Sequence, residues 1–348
     1  EGSFPRPAKL RPAIDFWKRV FGTYSEHQVV VHDAWYLGKV YEVLDFRPWV
    51  SDGAPMSGEL LELRNQKVAE AKEHYRSILL RLHALGPDPS GLSPEEEKVQ
   101  ALFRDVPDGD KYLTAADRLR SQPGLREKFV TGVAQQSRYL DRMEQVFASH
   151  GMPRELARLP LVESCFNIDA YSKVGAAGVW QFMPSTGRQY MRVNNAIDER
   201  RDPIRATEAA AEHLGGDYEA LGTWPLAITA YNHGRGGVAR GVDESGTTDI
   251  GEVATRYHGR AFGFASRNFY AEFAAILELT ARADSELPSL PPLRMAEVRI
   301  GRPMRLGEAA RHVGISEEEL IDMNPALMPV VTHGRAPIPS GYALWVPR

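Results

Sequence analysis

The chain has 348 residues, of which 43% are hydrophobic and 25% are charged. This is ordinary globular usage, which excludes wholesale disorder and a collagen-like fold, and at roughly 150 residues per domain it predicts two or three domains. Forty-two Lys and Arg against 46 Asp and Glu give a formal net charge of −4. A nucleic-acid-binding protein needs a basic surface to neutralise phosphates, so we expect no nucleic-acid partner.

Neither the cysteine content nor the hydropathy points to a special class of protein. A single cysteine, Cys165, excludes intrachain disulfides and a cysteine-rich zinc site. No run approaches the roughly 18 apolar residues of a membrane span. Because the sequence starts at Glu1 without a Met, we expect a processed or trimmed product, and a signal peptide or lipid anchor ahead of Glu1 stays open.

The first part of the chain, 1–118, is predicted to be a helical region. Helical spacing of Leu, Ala and charged residues predicts one long helix from Ser57 to about Leu85. A Gly- and Pro-rich break follows, and Ser93 then begins a second helix, with Pro94 in its first turn and Glu96 placed to form a capping box. We find no residues in this region that predict chemistry.

The middle section, 119–284, is predicted to be mostly α-helical. Apolar residues at three- to four-residue steps predict one amphipathic helix over 125–149. A second helix is expected to begin near Pro153 and to run toward Glu163. Further helices are predicted over 203–221, 224–232 and 266–282, and strand signals are nearly absent.

The C-terminal section follows a Pro- and Ser-rich linker, Ser285–Pro292. From 293 to 348 the pattern predicts a strand at 297–300, helices at 306–313 and 316–323, and a closing strand at 342–346. The simplest assembly is a small β-α-α-β unit of the kind that burial alone would stabilise only marginally.

Glu163 is the first residue that suggests chemistry, because it lies among Leu, Val and Phe in the run 159–166. Desolvation disfavours a carboxylate, so such a Glu is expected to have a raised pKa and to donate a proton near neutral pH. Taken alone, the pattern is also that of a helix-end group that reaches water.

Two later stretches place polar side chains in apolar surroundings. The run 171–184 combines small residues and glycines with Ser172 and Gln181, and a buried Gln needs a specific hydrogen-bond partner. The run 227–234 places Tyr231 and Asn232 at the end of an apolar helix. A carboxylic acid or a sugar would satisfy such a phenol and amide.

Four ordered blocks together resemble family 1 lytic transglycosylases. The blocks are E-S-x-F from Glu163, S-x-x-G-A-x-G-x-W-Q-F-M-P-x-T-G from Ser172, D-E-R-R-D-P from Asp198, and A-Y-N-x-G from Ala230. They are most similar to the membrane-bound lytic transglycosylase D subgroup, which has a goose-lysozyme-like fold. The strong similarity covers about 150–240, and weaker similarity extends over about 119–280.

The resemblance implies a role for each matching residue. It makes Glu163 the single catalytic acid/base, Ser172 a residue that orients the reacting sugar, and Tyr231 a contact of the catalytic carboxyl. It places the remaining residues in the substrate cleft or at its edge: Gln181, Met183, Thr186 and Asn232. The block 198–202 we interpret as a structural, salt-bridged turn.

The reaction that the resemblance implies is non-hydrolytic cleavage of peptidoglycan. Glycosidases commonly need two carboxylates, whereas this family uses one. Glu163 is expected to protonate the oxygen between N-acetylmuramic acid and N-acetylglucosamine, and then to deprotonate the muramoyl C6 hydroxyl, which attacks C1. An intramolecular nucleophile benefits from a high effective concentration. The product is a 1,6-anhydromuramoyl end.

The C-terminal unit resembles a LysM module, a type that binds glycans containing N-acetylglucosamine. The element order fits, as does Asn324-Pro325 after the second helix, but the usual Gly-Asp-Thr-Leu entry is replaced by Gly301–Met304. Both a working module and a degenerate one that only packs remain open. The fold expected for the whole chain is therefore mainly α, a lysozyme-like helical domain between an N-terminal helical region and a LysM-like module.

Two other functions stay open beside the transglycosylase. One is a muramidase that hydrolyses the same bond with water, and the other is a peptidoglycan-binding scaffold with an inactive site. We expect no cofactor and no metal, since the His residues form no zinc-ligand set such as HExxH. Peptidoglycan strands are the expected partner, in the periplasm or cell envelope. A membrane anchor ahead of the N-terminus, and a cell-wall protein bound by the N-terminal region, are further open expectations.

Overall fold

The structure, a computed structural model, describes residues 2–50, 56–87, 89–282 and 287–348. The described residues are mainly helical, as predicted. Their α-helices are α1 (Arg11–Gly22), α2 (Gly58–Leu85), α3 (Pro94–Leu102), α4 (Lys111–Ala116), α5 (Arg126–Ser137), α6 (Leu140–Ser149), α7 (Leu159–Ser164), α8 (Pro184–Tyr190), α9 (Pro203–Leu221), α10 (Trp224–His233), α11 (Arg235–Ser245), α12 (Ile250–Arg256), α13 (Phe264–Arg282), α14 (Leu306–Val313), α15 (Glu317–Met323) and α16 (Pro329–Thr332).

Short strands and 3-10 helices complete the described secondary structure. The strands are β1 (Gln28–Asp33), β2 (Val40–Asp45), β3 (Leu119–Pro123), β4 (Met295–Arg299) and β5 (Ala343–Pro347). The 3-10 helices are Ala8–Leu10, Arg47–Trp49, Arg154–Arg158 and Glu199–Arg201. None of the described helices combines the length and the apolar character that crossing a bilayer requires.

The chain divides into two compact units that differ from the sequence-based division. One unit comprises 129–239 and 280–348 with the first residues of the chain, and the other comprises 4–128 and 240–279. Thus the C-terminal module shares a unit with the residues around Glu163. The division into an N-terminal helical region (1–118), a catalytic domain (119–284) and a LysM-like module (293–348) stays a prediction.

The unit containing 4–128 includes a β-sheet, which the sequence did not predict beside the expected helices. Three antiparallel strands lie in the order β2-β1-β3, with Val30 opposite Val43 on one side and Gln122 on the other. The central strand owes its conformation to the β-branched run Val29–Val31, which is completely buried. The run Val29–Val31 is short, and the helical periodicity of the rest of the region led us to overlook it as a strand.

Helices α2, α3 and α4 build the core beside this sheet. The predicted helix boundaries are confirmed: Ser57 caps α2 by accepting from the Leu60 N–H, and Ser93 and Glu96 form the capping box of α3. One face of α2 packs with the sheet and the following helices in a single hydrophobic cluster, which includes Val31, Tyr41, Leu79, Leu82, Val99 and Phe103.

In the other unit, two of the predicted helices are broken where the sequence suggested continuity. The predicted helix 125–149 is split into α5 and α6 at Arg138 and Tyr139. Because Tyr139 keeps a near-helical backbone (φ −114°, ψ −16°), the apolar spacing runs on across the break. The helix expected to begin near Pro153 is a 3-10 turn followed by α7, with Pro160 in the first turn of α7.

Helices α9 and α10 form the centre of this unit. Both match the sequence prediction, and each begins with a capping side chain and has a Pro in its first turn: Asp202 caps α9 and Thr223 caps α10. Small residues such as Ala206 and Ala210 let neighbouring segments approach α9 closely. Trp180, fully buried, donates from its indole N–H to Thr207 on α9 at 2.9 Å.

The C-terminal module has the predicted order of strand, two helices and strand, with one addition. Strands β4 and β5 pair antiparallel, with Glu297 opposite Trp345. Ser316 and Glu319 form a capping box at the start of α15. The short helix α16 was not predicted. Residues 285 and 286 of the predicted linker lie outside the described residues, and 287–294 contain no helix or strand.

This module is built into its unit through the segment 196–198. Ile197 belongs to the module's own hydrophobic core and forms a β-bridge with Leu327. The Asp198 N–H donates to Ala326 at 2.9 Å, and the Met328 N–H donates to Ala196 at 3.0 Å. The module is therefore a fixed part of the unit that carries Glu163.

Candidate active site

Glu163 lies in the last turn of the short helix α7. Leu159 and Leu161 anchor this helix in the core, while Glu163 itself is half-buried. Burial raises the pKa of Glu163 to about 8. Its place at the C-terminal end of a helix, where the backbone carbonyls leave a partial negative charge, disfavours the carboxylate further. Glu163 is therefore protonated at neutral pH and can act as an acid.

No neighbouring charge among the described residues contributes to the pKa shift of Glu163. A second carboxylate within a few ångströms would raise the pKa through like-charge repulsion, as in paired-carboxylate sites. Burial is thus the cause of the raised pKa of Glu163. The described residues also contain no group of three or more His, Cys, Asp or Glu side chains that could hold a metal ion.

The chain leaves α7 through two consecutive residues with left-handed backbone conformation. Cys165 has φ 49° and Phe166 has φ 53°, and such values are uncommon outside glycine. The turn fits against Gly132 of α5: a Cβ at Gly132 would lie 2.1 Å from the Cys165 carbonyl oxygen. Gly132 therefore positions the end of the helix that carries Glu163. Sequence reasoning missed this residue, because its signal was only a glycine inside an amphipathic helix.

The loop that follows, 171–183, carries Ser172 and Gln181. Bridges join Ala177 to Tyr171 and to Phe182, which folds the loop back on itself. The Ser172 hydroxyl accepts from the Ala176 N–H at 2.9 Å, so its own O–H is available to donate. Gln181 has φ 50°, and its side-chain amide donates to the Gly178 carbonyl at 2.8 Å. The partner expected for Gln181 is thus backbone of the same loop.

Two hydrogen bonds fix this loop to the helices on either side. The Ser164 hydroxyl, next to Glu163, donates to the Val179 carbonyl at 3.0 Å. The Tyr231 hydroxyl, from α10, donates to the Trp180 carbonyl at 2.8 Å. Consecutive residues of the loop therefore bind the helix that carries the acid and the helix that carries Tyr231.

The charge of Glu163 also affects the pKa of Tyr231. Burial first, and then the charges of Glu163 and Asp217, raise the pKa of Tyr231 well above its usual range. Its phenol hence remains a neutral donor across the physiological range. Tyr231 therefore lies near enough to Glu163 for that charge to affect its pKa, while its hydroxyl donates to the loop that carries Ser172 and Gln181. The roles that the resemblance implies for these residues stay predictions.

The remaining three predicted site residues lie further out along the same elements. Met183 is exposed and precedes α8, Thr186 is in α8, and Asn232 is exposed in the last turn of α10. The Thr186 side chain makes no hydrogen bond with the other described residues. The structure thus places these side chains in the same unit without joining Thr186 to Glu163.

Arg200, from the D-E-R-R-D block, holds the loop 171–183 in place by hydrogen bonds to its backbone. Its guanidinium is buried, binds both oxygens of Asp198 at 2.9 and 2.7 Å, and donates to the carbonyls of Gly175 and Phe182 at 2.8 and 3.0 Å. A Cβ at Gly178 would lie only 1.8 Å from the Arg200 carbonyl oxygen. The block is a salt-bridged turn, as we interpreted it, and its arginine holds the loop in place.

A buried polar cluster behind Tyr231 was not predicted. The His213 ring lies 5.5 Å from the Tyr231 ring, and its Nδ1 is 3.1 Å from the Tyr190 hydroxyl. Asp217, one turn along α9, binds Arg235 at 2.8 Å. Burial lowers the pKa of His213, which keeps its imidazole neutral. The only sequence signal was His and Asp spaced i, i+4 on an Ala-rich helix.

The loop exposes three large apolar side chains beside the charged Lys173. Tyr171 and Val174 are 71% and 74% exposed, and Met183 is 39% exposed. Large apolar side chains with this exposure are unusual on a fixed loop, and rings of this kind pack against the faces of sugars. These side chains offer a surface on the loop against which the face of a sugar can pack.

Comparison with known proteins agrees with this geometry. The family described as "Transglycosylase SLT domain" matches residues 144–253. The chain is 29% identical over 241 residues to "Membrane-bound lytic murein transglycosylase D" of Escherichia coli K12, an alignment that covers 63% of this chain and 52% of that protein.

A second relative matches a shorter segment. The chain is 39% identical over 95 residues to a "Putative tributyltin chloride resistance protein" of an Alteromonas species, covering 26% of this chain and 45% of the relative. The chain thus spans about half the length of the curated relatives it matches. These findings support the family resemblance stated from the four blocks, and residues 144–253 of this chain match the transglycosylase SLT domain family.

Proposed function

We propose that this protein is a lytic transglycosylase that cleaves the β-1,4 bond between N-acetylmuramic acid and N-acetylglucosamine in peptidoglycan. The observation that carries the proposal is Glu163: a solitary, half-buried acid with a pKa of about 8 inside a matching transglycosylase SLT domain. The printed name of its Escherichia coli relative points to the same substrate. The site of action is then the cell envelope, where peptidoglycan lies.

The reaction needs only one carboxyl group. The protonated Glu163 gives its proton to the glycosidic oxygen as the bond to muramoyl C1 breaks, which releases the N-acetylglucosamine 4-hydroxyl. The resulting Glu163 carboxylate accepts the proton of the muramoyl C6 hydroxyl, whose oxygen bonds to C1. No water is consumed, and Glu163 ends in its starting protonation state.

The surrounding residues support this cycle in distinct ways. Tyr231 stays neutral and holds the loop backbone to α10, while Ser164 holds the adjacent residue of the loop to α7. Ser172 has an O–H free to donate toward the reacting sugar. Gln181, Met183, Thr186 and Asn232 we assign to the substrate cleft and its edge. A fixed loop of this kind lowers the entropic cost of orienting the C6 hydroxyl.

The lone acid also favours the transglycosylase over a muramidase. An inverting hydrolase places a second carboxylate about 6.5–9.5 Å from the acid to activate water, and a retaining one places it closer. Asp217, the other acid whose charge affects Tyr231, is engaged with Arg235. It is therefore poorly placed to serve as the missing base.

Digestion of purified sacculi tests the proposal, with products identified by mass spectrometry. We expect 1,6-anhydromuramoyl ends, one water lighter than hydrolysed ends, from the wild type and none from Glu163→Gln. Reducing muramic acid ends would make the protein a hydrolase instead. Sacculus binding without cleavage by either protein would make it a scaffold. An active Ser185→Ala variant, altered on the exposed side of α8, serves as the matched control.

A further inference from the structure

A cavity of about 540 Å³ lies between α6 and the start of β4, within the unit that carries Glu163. Glu163 is not among its lining residues. Four arginines line it: Arg138 and Arg142 from the α5–α6 region, and Arg294 and Arg348 from the C-terminal module. The rest of the lining consists of one acid, one amide and an apolar strip: Asp141, Gln145, Pro292, Leu293 and Met295. We call it the arginine cavity.

The arginine cavity carries uncompensated positive charge. Among the described residues, no carboxylate lies within ion-pairing distance of Arg138, Arg294 or Arg348, whereas many other arginines of the chain are paired. The neighbouring acid of α6, Glu144, is engaged with Arg158 at 2.7 Å. Asp141 is then the one lining acid against four guanidinium groups. Like charges gathered around a concave surface repel one another unless an anion joins them.

One of the four arginines is held in place by the module. The Arg142 guanidinium lies 4.5 Å from the centre of the Trp345 ring and also faces the Met295 carbonyl at 3.4 Å. The cavity also has a fixed wall, because the Leu293 N–H donates to the Arg138 carbonyl and the Arg348 N–H donates to the Arg294 carbonyl. The backbone of the cavity wall and one of its guanidinium groups, that of Arg142, are therefore fixed in advance.

The shape and lining of the cavity indicate the class of ligand. Guanidinium forks match carboxylates and phosphates. A volume of about 540 Å³ is within the range of pockets that hold whole small ligands, and it far exceeds one phosphate. The apolar strip of Leu293 and Met295 suits aliphatic side chains. A ligand with several carboxylates on an aliphatic frame fits these features, and a short acidic peptide is such a ligand.

We propose that the arginine cavity binds the carboxylates of the peptide stems attached to peptidoglycan glycan strands. This proposal rests on the proposed function, because that function supplies a substrate whose muramic acid residues carry short peptides with free carboxylates. Binding there would hold a peptide-bearing strand on the same rigid unit as Glu163. Strands without peptides would then be weaker substrates.

The main comparison uses two substrates and three proteins. The substrates are intact sacculi and glycan strands from which an amidase has removed the peptides. The proteins are the wild type, the Arg138→Gln/Arg294→Gln variant, and an Arg311→Gln control altered on an exposed arginine of α14 that does not line the cavity. Arg142 is left intact, since its stacking on Trp345 contributes to packing.

We expect the double variant to need about three- to tenfold more intact sacculi for half-maximal rate, with kcat unchanged. On peptide-free strands it should equal the wild type, and the Arg311→Gln control should equal the wild type on both substrates. An Arg138→Lys/Arg294→Lys variant keeps the charge and should recover part of the loss. Equal losses on both substrates, or no loss on either, would overturn the proposal.

Co-sedimentation with sacculi in a Glu163→Gln background separates this proposal from the proposed function. Absence of anhydromuramoyl products from the wild type would refute the transglycosylase, whereas the cavity is judged by whether its two arginines strengthen binding to peptide-bearing sacculi over peptide-free strands. If the double variant instead lost binding only to phosphatidylglycerol vesicles, the cavity would be a membrane site and the proposal would be wrong.

Discussion

The indole N–H of Trp345 donates a hydrogen bond of 2.6 Å to the carboxylate of Asp202, a residue 143 positions earlier in the chain. Both groups are buried. Asp202 also caps α9 by accepting from the Ile204 and Arg205 N–H groups. It ends the turn that contains Arg200, whose guanidinium binds the loop 171–183. The Asp202 carboxylate thereby joins the C-terminal module to the turn that holds the loop 171–183 of the candidate active site.

We therefore predict that Trp345→Phe weakens the module and the site together. The change leaves a buried carboxylate oxygen without its donor, which costs about 1–3 kcal/mol. Thermal unfolding should show a lower Tm, by about 2–4 °C per kcal/mol for a unit of this size. Trp49→Phe, at a tryptophan that is 64% exposed, should leave the Tm unchanged. A Trp345→Phe protein with wild-type Tm and activity would show that the module folds independently of the site.

The pH dependence of activity should follow Glu163. The acid must be protonated to act, and its pKa is about 8. We expect kcat/KM on soluble glycan strands to fall as the pH rises through about 8, with little change between pH 6 and 7. An alkaline limb near pH 4–5 would mean that the carboxyl is well solvated in the free enzyme.

The same pKa makes a prediction about stability. The pKa of Glu163 is raised from 4.5 to about 8 in the folded chain, so the folded state binds this proton more tightly than the unfolded state does. The stabilisation is complete below about pH 4.5 and is lost as the pH rises toward 8. Glu163→Gln imitates the protonated acid. Its Tm should therefore match the wild type at pH 4.5 and exceed it increasingly up to pH 9.

Arg200 is predicted to affect catalysis without touching substrate. Arg200→Lys keeps the charge but cannot bind Asp198 with two nitrogens and also reach the Gly175 and Phe182 carbonyls. A site loop displaced by about 1 Å can cost about a hundredfold in rate. We expect kcat to fall by about ten- to a hundredfold while sacculus binding changes little. Arg188→Lys, on the exposed side of α8, is the control and should be neutral.

The sequence singled out Glu163 as a candidate acid because it lies among apolar residues, where a carboxyl has a raised pKa. That pattern alone also fits a helix-end group that reaches water, and only the four family blocks favoured the catalytic role. The long helices α2 and α9 were predictable from apolar spacing and caps, which are local properties. The strand around Val30 was missed because a short β-branched run has no periodicity that separates it from a buried helix segment.

Contacts between residues far apart in the chain could not be predicted at all. No local pattern shows that Trp345 meets Asp202, or that Arg200 reaches Gly175 and Phe182. The break between α5 and α6 was hidden because Tyr139 stays near helical geometry. Only the three-dimensional structure shows that the D-E-R-R-D block contacts the loop 171–183 and supports it.

Gly132 gives the most local test of how the backbone positions Glu163. In Gly132→Ala, the new methyl group would lie 2.1 Å from the Cys165 carbonyl oxygen, two residues after Glu163. Backbone cannot yield as a flexible side chain can, so either α5 or the end of α7 must move. We expect a destabilisation of about 1–3 kcal/mol and a loss of kcat that exceeds what the lower stability explains at 25 °C. Chemical denaturation and initial rates measure the two effects separately.

The matched control is Gly301→Ala, in the same unit, where a Cβ has no heavy atom within 4 Å. It should keep both the wild-type stability and the wild-type rate. If Gly132→Ala lowered stability but left kcat intact, the close approach of α5 would be needed only for folding. If it lowered kcat at full stability, the left-handed turn at Cys165 would be a positioning element for the acid.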